Sequence, residues 1–293
     1  MTILDGKLLA QTIKEELKVS VTKIVENGGK APHLAAVLVG DNPASQAYVR
    51  NKVRSCEQVG FESTLIQRPA DATQEEILAI VQQLNDDPNI DGFIVQLPLP
   101  KHIDETVVNL AIDPRKDVDG FHPVNFGRMA QGLPAYLPAT PFGILEMLRR
   151  YDIKTAGKEV VVLGRSNIVG TPMSILLSRK GEPGDATVTI CHSRTKNLAE
   201  HTLRADILVA AIGQAEFVKA DMVKEGAVVI DVGMNRVDDA TTTSGYRLTG
   251  DVDYADVAPK TSYITPVPGG VGQLTVMALL LNTLKANQKE IFG

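Results

Sequence analysis

The chain has 293 residues, 44% of them hydrophobic and 22% charged, which is enough apolar material for one large or two medium cores. Its net charge of −5 excludes the broad basic footprint of a nucleic-acid or anionic-membrane binder, while leaving room for a local phosphate pocket. Cys56 and Cys191 make no disulfide framework and point to a reducing, cytoplasmic setting; the histidines show no metal-ligand spacing, so no metal is expected.

In chain order, residues 7–27 read as an amphipathic helix, with Leu8, Leu9, Ile13, Leu17, Val21, Ile24 and Val25 along one side and Gly28-Gly29 as its stop. No cationic-then-apolar segment opens the chain, so no signal peptide is expected. Leu34 to Val39 is a continuous apolar run of the buried-strand type. Gly40-Asp41-Asn42-Pro43 then reads as a helix start, with Asn42 as cap and Pro43 in the first turn. On that helix Tyr48 and Lys52 stand four apart and share a side, an aromatic plane beside an amine that could serve a flat, conjugated substrate. Taken alone, a surface tyrosine and a solvated lysine are the commoner outcome. The apolar rhythm Val49, Val53, Cys56 marks the inward face, and Gly60 ends the helix.

Phe61 to Gln67 alternates as a strand, Thr73 with Glu76 forms a capping-box signature for a helix to about Asn85, and Gly92 to Leu97 is a buried strand stopped by Pro98-Leu99-Pro100. A further helix is expected at about 104–111. Residues 113–139, rich in Pro, Gly and Asp, carry no clear period and are expected to form a long ordered loop or a linker. Thr140-Pro141 starts a helix, and the domain change is placed there.

Glu159 to Leu163 is a strand followed by the glycine-bounded turn Gly164 to Gly170 and a helix from Thr171-Pro172. Strand, turn, helix is the layout in which a helix N-terminus receives a pyrophosphate, although the spacing is not G-x-G-x-x-G and is a weak signal by itself. A long loop, Ser178 to Asp185, precedes the strand Ala186 to Cys191. An NAD enzyme would usually place an acid at the end of this second strand; here stand His192-Ser193-Arg194-Thr195, suited to a 2′-phosphate, or else an ordinary surface loop that holds an arginine. Asp206 to Ile212 and Ala227 to Val232 are buried strands, residues 235–253 a polar hairpin or loop with its tip near Thr241 to Gly245. Thr265 to Gly272 is glycine-rich and precedes a helix from about Leu274 to Asn287, whose apolar run Val276 to Leu281 is too short to span a bilayer. Strand-helix alternation predicts an α/β fold with parallel sheets.

YVRNK, VQLPLP, KDVDGFHP, GRSNIVGTP, CHSRT, VVIDVG and TPVPGGVG follow one another in this order from Tyr48 to Gly272. Together they resemble the FolD family of bifunctional methylenetetrahydrofolate dehydrogenase/cyclohydrolases. The resemblance implies two domains: an α/β folate domain over 1–139, completed by the C-terminal helix 270–293, and a Rossmann-type NADP domain over 140–269, with the active cleft between them. It implies a cytoplasmic homodimer acting on tetrahydrofolate derivatives. It further implies Lys52 as the catalytic lysine, Gln96 as the residue that positions it, Asp119 as the pterin anchor and Tyr48, Pro268 and Gly269 at the folate. Gly164, Arg165, Ser166, Ser193, Arg194 and Ile230 would contact NADP. Without the resemblance, Gln96 reads as a polar strand end and Asp119 as a solvated loop residue or an Asx-turn. The sequence departs from the family pattern at Thr171, where a basic residue often stands, at Gln273-Leu274 in place of Pro-Met, and in the length of 178–185. A different two-domain NADP dehydrogenase would carry no special demand at DVDG or PGGVG, and a silent binder would be free to lose Lys52, Gln96 or Asp119.

Overall fold

The computed structural model describes residues 1–242 and 245–292. The first half of the chain forms β1 (Thr2–Ile3), α1 (Gly6–Glu26), β2 (His33–Val39), α2 (Pro43–Val59), β3 (Glu62–Arg68), α3 (Gln74–Asp86), β4 (Gly92–Val95), α4 (Glu105–Ala111), α5 (Pro123–Ala130) and α6 (Ala139–Arg150). There follow β5 (Glu159–Leu163), α7 (Gly170–Ser178), β6 (Thr187–Cys191), α8 (Leu198–Thr202), β7 (Ile207–Ala210), β8 (Val228–Asp231), β9 (Asn235–Asp238), β10 (Tyr246–Thr249), α9 (Tyr254–Val257), β11 (Tyr263–Ile264) and α10 (Val271–Asn287). By contact the chain divides into one unit of residues 11–139 and 276–293 and another of 1–10 and 140–275. The first ten residues thus group with the later part of the chain, and the division in α10 falls after Thr275.

The 11–139 unit is built on a three-stranded parallel sheet in the order β3-β2-β4. Val37, Phe93, Ile77 and Val81 fill one side of it with almost no exposure. The expected capping box starts α3: Glu76 N–H donates to the Thr73 hydroxyl, and the Glu76 carboxylate accepts from Thr73 N–H at 2.8 Å. Asp104 caps α4 by accepting from two backbone N–H groups.

Residues 113–139 are not one loop, as the sequence suggested, because α5 lies within them. Its cap is His122, whose Nδ1 accepts from Val124 N–H at 3.1 Å, and Pro123 opens the first turn. The helix is short and one of its two buried positions is Asn125, so no apolar period marks it.

The 140–275 unit holds a six-stranded parallel sheet in the order β1-β11-β8-β7-β5-β6. The second strand lies on one side of β5 and the third on the other, so the order reverses there, the place where sheets of this kind bind ligands beyond the strands' carboxyl ends. Helix α6 packs closely on the start of α10: a Cβ at Gly143 would lie 2.9 Å from Leu274 Cβ, and the Thr140 and Thr275 hydroxyls are 3.1 Å apart. The long 178–185 loop folds onto buried Thr155, whose hydroxyl donates to Gly184 O at 2.8 Å and accepts from Gly184 N–H at 2.7 Å. Within the expected 235–253 stretch, residues 235–249 form an antiparallel hairpin, β9 with β10; residues 243 and 244 of its expected tip lie outside the described residues.

Candidate active site

Helix α2 begins as its sequence indicates, with the Asn42 side chain accepting from Ser45 N–H at 3.2 Å. Its inward face is Ser45, Val49, Lys52, Cys56 and Val59, spaced four, three, four and three. Lys52 therefore occupies a core position and is only 7% exposed, whereas Val53, expected on that face, is half-buried. Tyr48, one residue off the stripe, is 37% exposed and sits at its rim.

The amine of Lys52 donates to Gln96 Oε1 at 3.1 Å. Gln96 follows β4, and its backbone N–H continues the ladder to Val37 O at 2.9 Å. Its amide is held the right way round because Nε2 donates to Leu97 O at 2.7 Å. Burial lowers the Lys52 pKa from the ordinary lysine value, against the opposing pull of Asp119. Burial likewise raises the Asp119 carboxyl, against the pull of Lys52. Desolvation outweighs their mutual attraction for both groups, so each is nearer to neutrality than a surface lysine or aspartate. The Tyr48 phenol is raised by burial and stays protonated at neutral pH.

The loop carrying Asp119 is clamped to the sheet edge. Phe93 N–H donates to Lys116 O at 3.0 Å, and Asp117 bridges to Phe93 in parallel fashion. Asp117 is nearly unexposed and accepts from His122 N–H, Phe121 N–H and the Asn125 amide. Asn282 on α10 donates to Val118 O at 2.8 Å and Leu137 O at 2.9 Å, pinning the loop from the other side. Gly120 has φ +73, and a Cβ there would run into the backbone at Leu137 and Pro138. Asp117, Asn125 and Asn282 were not singled out from the sequence; the first acid of DVDG is the only one with a local signal.

In the 140–275 unit, Gly164 follows β5 with φ +114, and a Cβ there would run into Ala211 O. A Cβ at Gly170 would run into Gly164 O, so both glycines are required for the chain to turn this tightly into α7. Ser166 Oγ accepts from Val169 N–H at 3.1 Å and Gly170 N–H at 3.4 Å, which leaves its own O–H proton unused by those bonds. Thr171, at the departure from the family pattern, donates to Arg165 O at 3.1 Å and stitches the turn. Arg165 and Ser166 are exposed, as are Ser193 and Arg194 beyond β6. The His192 turn is closed by Arg194 N–H donating to His192 Nδ1 and His192 N–H to the Thr195 hydroxyl. These residues fit a dinucleotide with a phosphorylated ribose: narrow glycine turns, a helix N-terminus, and a guanidinium with hydroxyls and no carboxylate at the second strand.

Ile230 lies in β8, opposite Val209, with its side chain fully buried in the core. Pro268 and Gly269 lie in the 140–275 unit, in the turn before α10. Gly269 has φ +112 and is buried, while Pro268 is exposed. Among the described residues no His, Cys, Asp and Glu cluster has the geometry to hold a metal ion.

Two family models match the chain. Residues 4–119 match the catalytic domain of tetrahydrofolate dehydrogenase/cyclohydrolase, and residues 138–291 match its NAD(P)-binding domain. The bifunctional protein FolD of Cytophaga hutchinsonii is 63% identical over 286 residues, covering 98% of this chain and 99% of that protein. Among solved structures, the bifunctional FolD enzyme of Campylobacter jejuni has a TM-score of 0.93 at 46% identity, covering 99% of each chain. The Trypanosoma brucei methylenetetrahydrofolate dehydrogenase-cyclohydrolase, complexed with NADP and an inhibitor, has a TM-score of 0.93 at 38% identity, covering 100% of this chain and 99% of that one.

Proposed function

The chain belongs to the tetrahydrofolate dehydrogenase/cyclohydrolase family, and from that premise we propose how its residues divide the work. The protein is a bifunctional enzyme: it oxidises 5,10-methylenetetrahydrofolate to the 5,10-methenyl form with NADP and hydrolyses that product to 10-formyltetrahydrofolate. Residues 11–139 with 276–293 are the folate domain in this reading, and 140–275 with the first ten residues the NADP domain.

Loss of hydride from the methylene carbon leaves a cation shared over N–C–N, so the substrate carries much of its own stabilisation. NADP supplies the hydride acceptor. The protein's part in that step is positioning: Tyr48 stacks on the conjugated ring system, and Asp119 accepts hydrogen bonds from the pterin N–H groups. Gly164 to Ser166 would receive the pyrophosphate, and Ser193 and Arg194 would grip the 2′-phosphate.

Water then attacks the methenyl carbon, and proton transfers open the ring. Lys52 is the base. An ordinary ammonium near pKa ~10.4 is a poor base at neutral pH. The single observation that carries the assignment is a buried lysine whose amine is aimed by one neutral acceptor, Gln96 Oε1, at 3.1 Å. A neutral partner directs the amine without locking it in the charged form.

The test is to supply methylenetetrahydrofolate with NADP or NAD and follow both the reduced cofactor and the methenyl intermediate. NADP is turned over at lower concentration than NAD, and Lys52→Met accumulates the methenyl compound while still binding NADP and staying folded. Full conversion to the formyl product by that variant would remove Lys52 from its role; equal use of NAD at low concentration would remove Ser193 and Arg194 from theirs. The homodimer rests on family likeness, to be read by light scattering. The cytoplasmic setting is supported by two buried, unpaired cysteines.

A further inference from the structure

Two buried carboxylates in the 140–275 unit lie outside the chemistry above. Asp231 ends β8, and Asp251 follows the hairpin. Asp251 is 0% exposed and accepts four hydrogen bonds. One oxygen takes Ile212 N–H at 2.7 Å and Gly213 N–H at 2.9 Å; the other takes Gln214 N–H and the Asn235 amide, each at 2.9 Å. Asp231 in turn accepts from Gly233, Asp251 and Val252 N–H, each at 2.9 Å. Asp231 thus holds the backbone of Asp251, and Asp251 holds the loop that leaves β7.

That loop stands where the strand order reverses. Gly213 and Gln214 are exposed, so the bonds fix the shape of a loop that reaches the surface. In a planar trans peptide the carbonyl of one residue points opposite the N–H of the next. Three successive N–H groups aimed at one carboxylate therefore turn the carbonyls of Ala211, Ile212 and Gly213 away from it. The first of these, Ala211 O, is the atom that a Cβ at Gly164 would strike. The wall on which the Gly164 turn leans is set by Asp251. The surrounding glycines make space for the pair: a Cβ at Gly233 would run into the Asp251 carboxylate, and one at Gly250 into that of Asp231.

We infer that Asp251, braced by Asp231, is a positioning residue for NADP: it holds residues 211–214 in the arrangement that shapes the crevice beside the Gly164–Ser166 turn. This rests on the reading of that turn as the cofactor site. The two activities of the enzyme supply the test, because methenyl hydrolysis consumes no cofactor. In Asp251→Asn, one oxygen that accepts two N–H groups becomes an NH2 facing donors, and the loop must rearrange. The NADP KM rises about tenfold or more, while methenyl hydrolysis measured without cofactor stays within about twofold. Asn235→Ala removes one of the four donors and raises the NADP KM about threefold. An unchanged NADP KM in folded Asp251→Asn, or an equal loss of both activities, overturns the inference. Should that variant not fold, an unchanged KM in Asn235→Ala overturns it. Arg194→Ser checks the reading beneath: an unaltered NADP KM there moves the cofactor elsewhere and takes this inference with it, whereas a raised KM beside a silent Asp251→Asn sinks the inference alone.

Discussion

Lys52 is a charged residue on the apolar stripe of α2, and the position it holds sets its chemistry. A base works in its deprotonated form, so its rate rises with pH until the pKa is passed. Burial moves that limb below the ordinary lysine range, and the Asp119 carboxylate moves it partly back. Asp119→Asn deletes the raising influence and leaves burial in place. The ascending limb of the hydrolysis rate then shifts to lower pH, even as pterin binding weakens. It is read as kcat against pH at saturating folate; an unmoved limb, or one shifted upward, would separate Asp119 from Lys52. The stripe itself was legible: Val49, Cys56 and Val59 leave Lys52 facing inward by spacing alone. The rhythm Val49, Val53, Cys56 gave the adjacent phase, because two valines outweigh a lysine when the pattern is read by hydrophobicity. Gln96 and the orientation of its amide were beyond the sequence, since they depend on how β4 lies against α2.

At the scale of elements, α10 carries Asn282 into the loop of Asp119. Replacing it by leucine keeps most of the volume and removes two donors to buried carbonyls, each worth about 1–3 kcal/mol when left unsatisfied. Asn282 Oδ1 is itself buried without a hydrogen-bond partner, and leucine relieves that cost. The balance is a loss of about 1–3 kcal/mol in Asn282→Leu, read as a lower urea midpoint, with hydrolysis falling as the loop loosens. Unchanged stability would make the two bonds incidental. The main strands and most of the longer helices could be read beforehand, because apolar runs and caps such as Thr73 are local. β1 and β11 are too short for a period, and α5 hides behind a histidine cap and a polar inward residue. Asn282 reaches Val118 and Leu137 across more than a hundred positions, which no local pattern encodes.

At the scale of the whole chain, each unit buries a carboxyl pushed up to about 7: Asp117 in one and Asp231 in the other. Burial is the largest cause for both, and each accepts N–H groups that pull the other way. The sign follows from proton uptake. Between the unfolded aspartate value near ~3.9 and about 7, the native chain keeps protons that the unfolded chain has released, so stability is highest at the acid end and is lost as pH rises. Asp119, raised by burial, adds in the same direction. His122 and Lys52, both lowered by burial, work against them as pH falls through their ranges, two groups against three. Asp113, Asp206 and Asp253, held low by ion pairs with Arg115, Lys224 and Lys219, reverse the trend only at more acid pH, where they protonate. Urea unfolding without ligands should therefore give a higher midpoint at about pH 5.5 than at about pH 7.5. A midpoint equal or higher at the alkaline end would mean that the N–H groups donated to Asp117 and Asp231 outweigh their burial, and that both are carboxylates throughout.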